Sequence, residues 1–440
     1  MPTSSSPILG RPHDRADRLR NAAISGQNPM ASDVSPSRPR VLYIGSGSPW
    51  EGGAGYLLRQ HMFLQALDAM SDLHLALFDA VWEVPPTYGR AVTGLPLSNC
   101  SESRLRHLWN DLTNPLPLTF RTHAFDETRR IIKSLNPDSF DAIFAYRVDF
   151  AHFAGVLGHP RLILDIDDPE HVRRRLRFQT HELSWFDWRS RLDLRRMRRF
   201  ELNAARNAVR AFVCQVNDQQ VFDHPQPYVV PNCVNVPPVR PAHDPNSRNL
   251  LFVGSLFNSN QSPNIDAVRW FVEKVWPGIV AAEPSARFHI VGEVKKSFQE
   301  FLKSIPNVVI RGYVEDLADA YRHAAFSIAP IRYGTGTRLK IIESMAQGCP
   351  VVSTTKGWEG LELTPDEHLL VADSPNAWIE TCLNLLQNSD RQESLSKAAF
   401  TRTRELYDVD ARRPWLTKVL ADAIAAARAA PVKNQPAAAL

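Results

Sequence analysis

Twice along this chain, short β-rich apolar runs alternate with helical segments, and a proline-rich stretch separates the two series. The first series opens with the run VLYIG (Val41–Gly45), a glycine-rich loop and a helical pattern over Tyr56–Met70. It continues through strand-like Leu73–Phe78, Asp141–Tyr146, Arg161–Asp167, Ala211–Val216 and Tyr228–Asn235, with helical Phe125–Leu135 and a long arginine-rich helical stretch from Pro169 to Ala211. The second has strands at Asn249–Ser255, Arg287–Glu293, Val308–Val314, Phe326–Arg332 and Cys349–Thr355. Helices at Asn264–Ala282, Ser297–Ser304, Leu317–Ala324, Thr337–Gln347, Asn376–Gln387 and Arg391–Leu406 alternate with them and follow them. Strand–helix alternation of this kind builds a parallel sheet covered on both faces. Two such series predict two α/β domains with the linker VPPVRPAHDPNSR, residues 236–248, between them.

The expected organisation is a disordered tail (1–38), an N-terminal Rossmann-like domain (39–236), a C-terminal Rossmann-like domain (237–405), and a terminal helix and tail (406–440). The 440 residues suffice for two full cores, and a net charge of +4 asks for no nucleic-acid partner. The five cysteines have neither C-x-x-C spacing nor a disulfide pattern, so they read as reduced, buried thiols. No histidine spacing suggests zinc, and no metal is expected. The polar, Pro/Ser-rich start has no apolar signal core, and no run approaches the ~18 apolar residues of a membrane span. The expected location is cytoplasmic, peripheral at the inner membrane face.

Chemistry concentrates in RYGTGTRLKIIESMAQGCPVVSTTKGWEGL, Arg332–Leu361. A strand ends, Gly334 and Gly336 follow, and a helix is expected from Thr337. A helix start presents unpaired N–H groups and partial positive charge, which suits a diphosphate. Thr335 lies in the same loop. Arg338 and Lys340 add charge in the first turn, and Glu343, deeper along the helix, can accept hydrogen bonds from vicinal ribose hydroxyls. Gly254 and Ser255 end the domain's first strand, where open α/β sheets bind ligands. In the N-terminal half, Gly52 and Gly53 sit in a glycine-rich loop without a full G-x-G-x-x-G. LDIDDPE (Leu164–Glu170) places Asp165, Asp167 and Asp168 at a strand end. Asp167 or Asp168 can orient an acceptor hydroxyl, act as its base, or cap the next helix. Residues 171–210 hold twelve arginines against four acidic residues, with Trp185, Phe186 and Trp188 among them. This combination suits an anionic membrane surface or glycan, or a solvated, salt-bridged helix face.

The segment Arg332–Leu361 resembles the donor-binding signature of the retaining GT-B glycosyltransferases, the large family 4 group (glycosyl transferases group 1). FVGSLFNSNQSPNIDAVRWFVEKVWP, HIVGE and HLLVADSPNAWI extend that resemblance across Leu251–Ile379. VLYIGSGSPWEGGAG, LDIDDPE and VVPNCVN extend it more loosely through the N-terminal half. The resemblance implies a GT-B fold, two Rossmann-like domains facing across a cleft, and metal-independent, retaining, hexosyltransferase-type transfer. The donor is a nucleotide-sugar and the acceptor a glycan or lipid-linked saccharide, in cell-surface polysaccharide or glycoconjugate synthesis. It also implies that Glu343 binds the ribose, that Gly336 and Thr337 meet the diphosphate, and that Gly52 and Gly53 approach the donor across the cleft. Two departures stand out. The first glutamate of the family's E-x7-E pattern is Thr335 here, and the lysine that often follows the domain's first strand is missing from FVGSLFNSNQ. Diphosphate charge then falls to Arg338 and Lys340, expected to serve catalysis. Two rivals remain on the residues alone: a nucleotide-sugar epimerase, and a non-catalytic nucleotide-sugar- or glycan-binding module.

Overall fold

The computed structural model describes residues 38–51, 55–79, 88–89, 91–99, 114–121, 123–180, 188–223, 225–242, 244, 246–257, 262–314, 316–334, 336 and 338–431. Two parallel sheets dominate it. The first has seven strands, in spatial order Ala91–Leu95, Asp72–Phe78, Arg40–Ser46, Ala142–Tyr146, Leu162–Asp167, Arg210–Val213 and Tyr228–Val229. The second has six: Val308–Gly312, Arg287–Val291, Asn249–Val253, Phe326–Ala329, Val351–Ser353 and Leu370–Val371. In each sheet the chain works outward from its first strand to one edge, then returns to the other side. The order therefore reverses beside that first strand, and a crevice opens there at the strands' carboxyl ends.

Burial explains why these runs become strands. Val41, Leu42, Tyr43 and Ile44 are fully buried although successive side chains point to opposite faces, so both faces are covered. Leu250 and Phe252 on one face and Leu251 on the other do the same for the second sheet. Below the second sheet, Trp276, Phe271, Phe288 and Trp378 form an aromatic core.

The elements depart from the sequence reading in instructive places. Ala91–Leu95 and Leu370–Val371 are strands that the apolar pattern did not mark; AVTGL is partly exposed at a sheet edge, so one face gives no apolar signal. The arginine-rich stretch divides into two helices, Glu170–Thr180 and Trp188–Asn207. Trp185 and Phe186, between them, lie outside the described residues. The helix Val409–Ala429 does not stay with the C-terminal domain. Its Leu416, Leu420, Ala423 and Ile424 complete the core around Val41, Phe63 and Phe144 of the first domain. Arg428 Nε also lies 3.2 Å from Asp141 Oδ1. The two domains are thus linked twice, through residues 236–248 and through this returning helix. Among the described residues no helix is long and apolar enough to cross a membrane.

Candidate functional site

The crevice of the second sheet opens between the ends of Asn249–Val253 and Phe326–Ala329. Gly254 and Ser255 leave the first strand. Residues from Pro330 onward leave the second, and the helix Leu339–Ala346 follows. That helix opens two residues later than the pattern predicts, with Arg338 at its N-cap and no side chain capping its amides. Leu339–Ala346 is anchored by Ile341, Ile342, Met345 and Ala346, all buried; Ser344 is buried too and donates to the Cys349 carbonyl, while Lys340 is left on the side that meets Gly254.

Lys340 is the centre of a short relay. Its Nζ donates to Asn264 Oδ1 at 2.7 Å and lies 4.3 Å from the centroid of the Phe252 ring. Asn264 Nδ2 in turn donates to the Ser255 carbonyl at 3.1 Å. A Cβ on Gly254 would stand 3.3 Å from Lys340 Nζ and 3.0 Å from Asn264 Nδ2, so a side chain there would crowd the ammonium. Loss of hydration, with the Arg338 charge adding to it and Glu343 opposing, pulls the Lys340 ammonium down to about 7. Arg338 Nη2 donates to the Gly334 carbonyl at 2.9 Å, folding the guanidinium back over the loop. Burial pushes the Glu343 carboxyl upward, offset by Lys340, and Glu343 reinforces the upward displacement that burial imposes on the Tyr321 hydroxyl. Two cationic side chains and a carboxylate therefore sit together in a poorly hydrated environment. An anion approaching Lys340 favours its charged form and offsets the hydration lost on burial.

Across the cleft stands the end of Leu162–Asp167. The three aspartates there have three different environments. Asp165 is fully buried in a two-pronged pair with Arg59, Nε to Oδ2 at 2.8 Å and Nη2 to Oδ1 at 2.6 Å. Arg59 Nη1 reaches the Val230 carbonyl and Asn232 Oδ1, each at 2.8 Å. Both Asp165 oxygens thus accept from a buried guanidinium. Asp167 adopts φ +61°, with Tyr146 Oη donating to its Oδ2 at 3.0 Å and Arg59 Nε 3.3 Å from its Oδ1. Asp168 faces the other domain: a Cβ on Gly336 would lie 3.2 Å from Asp168 Oδ2. Gly336 has φ +82°, a conformation that a side chain would strain even without Asp168. Of the three aspartates, Asp168 is the one that the N-terminal domain sets against the glycine loop.

Beside Asp168 a polar pocket of ≈ 240 Å3 opens toward Arg147, Asp149, Glu170 and Arg173. Arg147 holds φ +63° directly after the strand Ala142–Tyr146, and its guanidinium pairs with Asp149 at 3.1 Å. Nothing in the sequence pattern marked Arg147, Asn264 or the Arg59–Asp165 pair. Asn264 and Arg59 sit inside ordinary helical patterns and gain meaning only when distant strands converge on them. Of the other candidate site residues, Gly52, Gly53, Thr335 and Thr337 lie outside the described residues. The structure brings Gly254, Ser255, Gly334, Gly336, Arg338, Lys340 and Glu343 to the strand ends of the second domain, and Asp167 and Asp168 to those of the first.

Comparison with known proteins bears on both halves. Residues 247–388 match the family model described as Glycosyl transferases group 1. An uncharacterized 44.6 kDa protein in the cps region of Klebsiella pneumoniae is 29% identical over 168 residues, 36% of this chain and 42% of that protein. The chain thus spans under half the length of that curated relative. Sucrose-phosphate synthase from Thermosynechococcus elongatus superposes with a TM-score of 0.64 at 17% identity, over 88% of this chain and 100% of that one. Anabaena HepE in complex with UDP and glucose superposes with a TM-score of 0.59 at 12% identity, over 87% of this chain and 99% of that one. At these identities the likeness establishes the architecture, two Rossmann-like domains in the GT-B arrangement.

Proposed function

We propose that this chain, a GT-B protein whose residues 247–388 carry the glycosyl transferases group 1 pattern, moves a sugar from a nucleotide-sugar to a saccharide acceptor. The observation that carries this reading is the convergence of Gly254, Gly334, Arg338, Lys340 and Glu343 at the strand-order reversal of the second sheet, with Asp168 opposite. The diphosphate meets the open amides of Leu339–Ala346, Lys340 and Arg338. Glu343 accepts from the ribose hydroxyls.

As the sugar–phosphate bond breaks, negative charge grows on the leaving diphosphate. Helix amides, Lys340 and Arg338 lie beside that charge and stabilise it. This is the role a divalent cation would otherwise fill. Asp165 is committed to Arg59 and Asp167 to Tyr146, which favours metal-independent transfer. The acceptor lies in the polar pocket beside Asp168, which orients its hydroxyl or takes its proton. The resemblance of the donor segment to retaining enzymes favours attack on the face the diphosphate leaves. HepE with UDP and glucose supports a nucleoside diphosphate sugar as donor, and the relative in a cps region supports a place in cell-surface polysaccharide synthesis.

The test is a thermal-shift and transfer assay against UDP-, GDP-, ADP- and TDP-sugars. One donor raises the melting point of the wild type, because a ligand that binds only the native state stabilises it. Glu343→Ala loses most of that shift and nearly all transfer, EDTA leaves transfer intact, and the product keeps the donor's anomeric configuration. Turnover of the donor without any acceptor would indicate an epimerase instead. Donor binding with no transfer to any acceptor would indicate a binding module.

A further inference from the structure

The helices Glu170–Thr180 and Trp188–Asn207 run antiparallel. The Glu170 amide donates to Glu201 Oε1 at 2.9 Å, and Arg174 Nη1 lies 2.5 Å from Asp193 Oδ2. Glu170 follows the strand end at the cleft. From Glu201, at that level, the second helix extends to Trp188, roughly 20 Å farther at about 1.5 Å per residue.

Along the flank of Trp188–Asn207 lies a cavity of ≈ 500 Å3. Its floor is Leu116, Leu157, Phe200 and Ala204, and Arg195 and Arg199 border it. Lining positions 192, 195, 199 and 203 recur at three and four residues, which is one continuous helix face. The helix's two acids do not neutralise that face. Asp193 accepts from Arg174 and from the Leu118 amide at 2.6 Å, and Glu201 accepts from His171 Nδ1 at 2.5 Å and from two backbone amides. Arg195 and Arg199 have no ion pair among the described residues. Trp188 and Leu118, 46% and 42% exposed, add apolar surface at the same helix. An apolar trough bordered by the Arg195 and Arg199 guanidiniums matches an amphiphile with a hydrocarbon chain and a phosphate. A soluble polyanion would use the arginines and leave the trough empty.

We propose that this groove docks the protein on an anionic phospholipid bilayer, with a hydrocarbon chain in the trough and lipid phosphates on Arg195 and Arg199. The proposal goes beyond donor chemistry and is independent of it. Docking here would hold the cleft mouth near lipid-borne saccharides.

Sedimentation of the full chain with vesicles of phosphatidylglycerol or of phosphatidylcholine tests it. The wild type sediments with phosphatidylglycerol and not with phosphatidylcholine. Arg195→Glu combined with Arg199→Glu weakens this binding by at least about tenfold. Leu157→Asn, at a partly exposed position, weakens it several-fold at constant net charge. Leu116→Asn serves as a second trough variant should Leu157→Asn lose its native melting temperature. Equal binding to both vesicle types, or none to either, overturns the proposal. Trough variants that bind phosphatidylglycerol like the wild type overturn the groove, leaving only a charged patch. Heparin binding that survives Leu157→Asn while vesicle binding is absent assigns the arginines to a soluble polyanion and also overturns it.

Discussion

Asp168 of the N-terminal domain lies against Gly336 of the C-terminal domain, 3.2 Å from where a side chain on that glycine would begin. The carboxylate thus stands directly against the glycine loop. Gly336→Ala meets two obstacles, the φ of +82° and the Asp168 oxygen. The left-handed conformation alone costs about 1–2 kcal/mol. Transfer by Gly336→Ala falls at least about tenfold. In a double-mutant cycle with Asp168→Ala, the losses are less than additive, because the second change relieves the contact. Strict additivity in kcat/KM would show that the two residues do not share the site.

Asp167 and Asp168 are neighbours in sequence with separable roles. Asp168→Asn keeps the melting temperature within the error of the wild type and lowers kcat by about 10²-fold or more, the loss expected when a general base is removed. Asp167→Asn weakens the contacts to Arg59 and Tyr146, so its main effect is a lowered melting temperature. Calorimetry alongside initial rates separates them. The reverse pattern would transfer the acceptor role to Asp167.

The Arg59–Asp165 pair is buried on both sides, and truncating one partner strands the other charge. Arg59→Met therefore destabilises the N-terminal domain by about 3–5 kcal/mol. Urea unfolding followed by tryptophan fluorescence reads the shift in that domain's transition.

Lys340 titrates near neutrality without a ligand, its ammonium drawn down to about 7 chiefly by lost hydration. A diphosphate favours the charged form, so donor binding above that pH takes up a proton, and affinity falls as pH rises from 7 toward 9. The sign for stability is the opposite of that of a salt-bridged lysine. Because the folded-state value is below the unfolded one, the folded protein binds fewer protons between pH 7 and about 10, and this group's contribution to stability increases as pH rises through that window. Isothermal titration in buffers of different ionisation enthalpy reports the proton uptake. Lys340→Met abolishes it and weakens donor binding, while uptake that persists in Lys340→Met would place the titrating group elsewhere.

Much of this molecule could be read from residue order. Two α/β sheets and, behind Gly334 and Gly336, the helix carrying Lys340 and Glu343 with Arg338 at its start follow from apolar periodicity, glycine placement and local charge. These are properties of residues near one another in the chain. The strand order of each sheet, and hence the crevice beside Gly254, depends on which distant runs pair. Periodicity carries no information about that choice. The pairing of Arg59 with Asp165, the relay from Lys340 through Asn264 to Ser255, the return of Val409–Ala429 to the first domain and the approach of Asp168 to Gly336 arise only in the packed chain. Each joins residues far apart in sequence, and their charges and hydrogen bonds take their strength from burial, which the fold alone supplies.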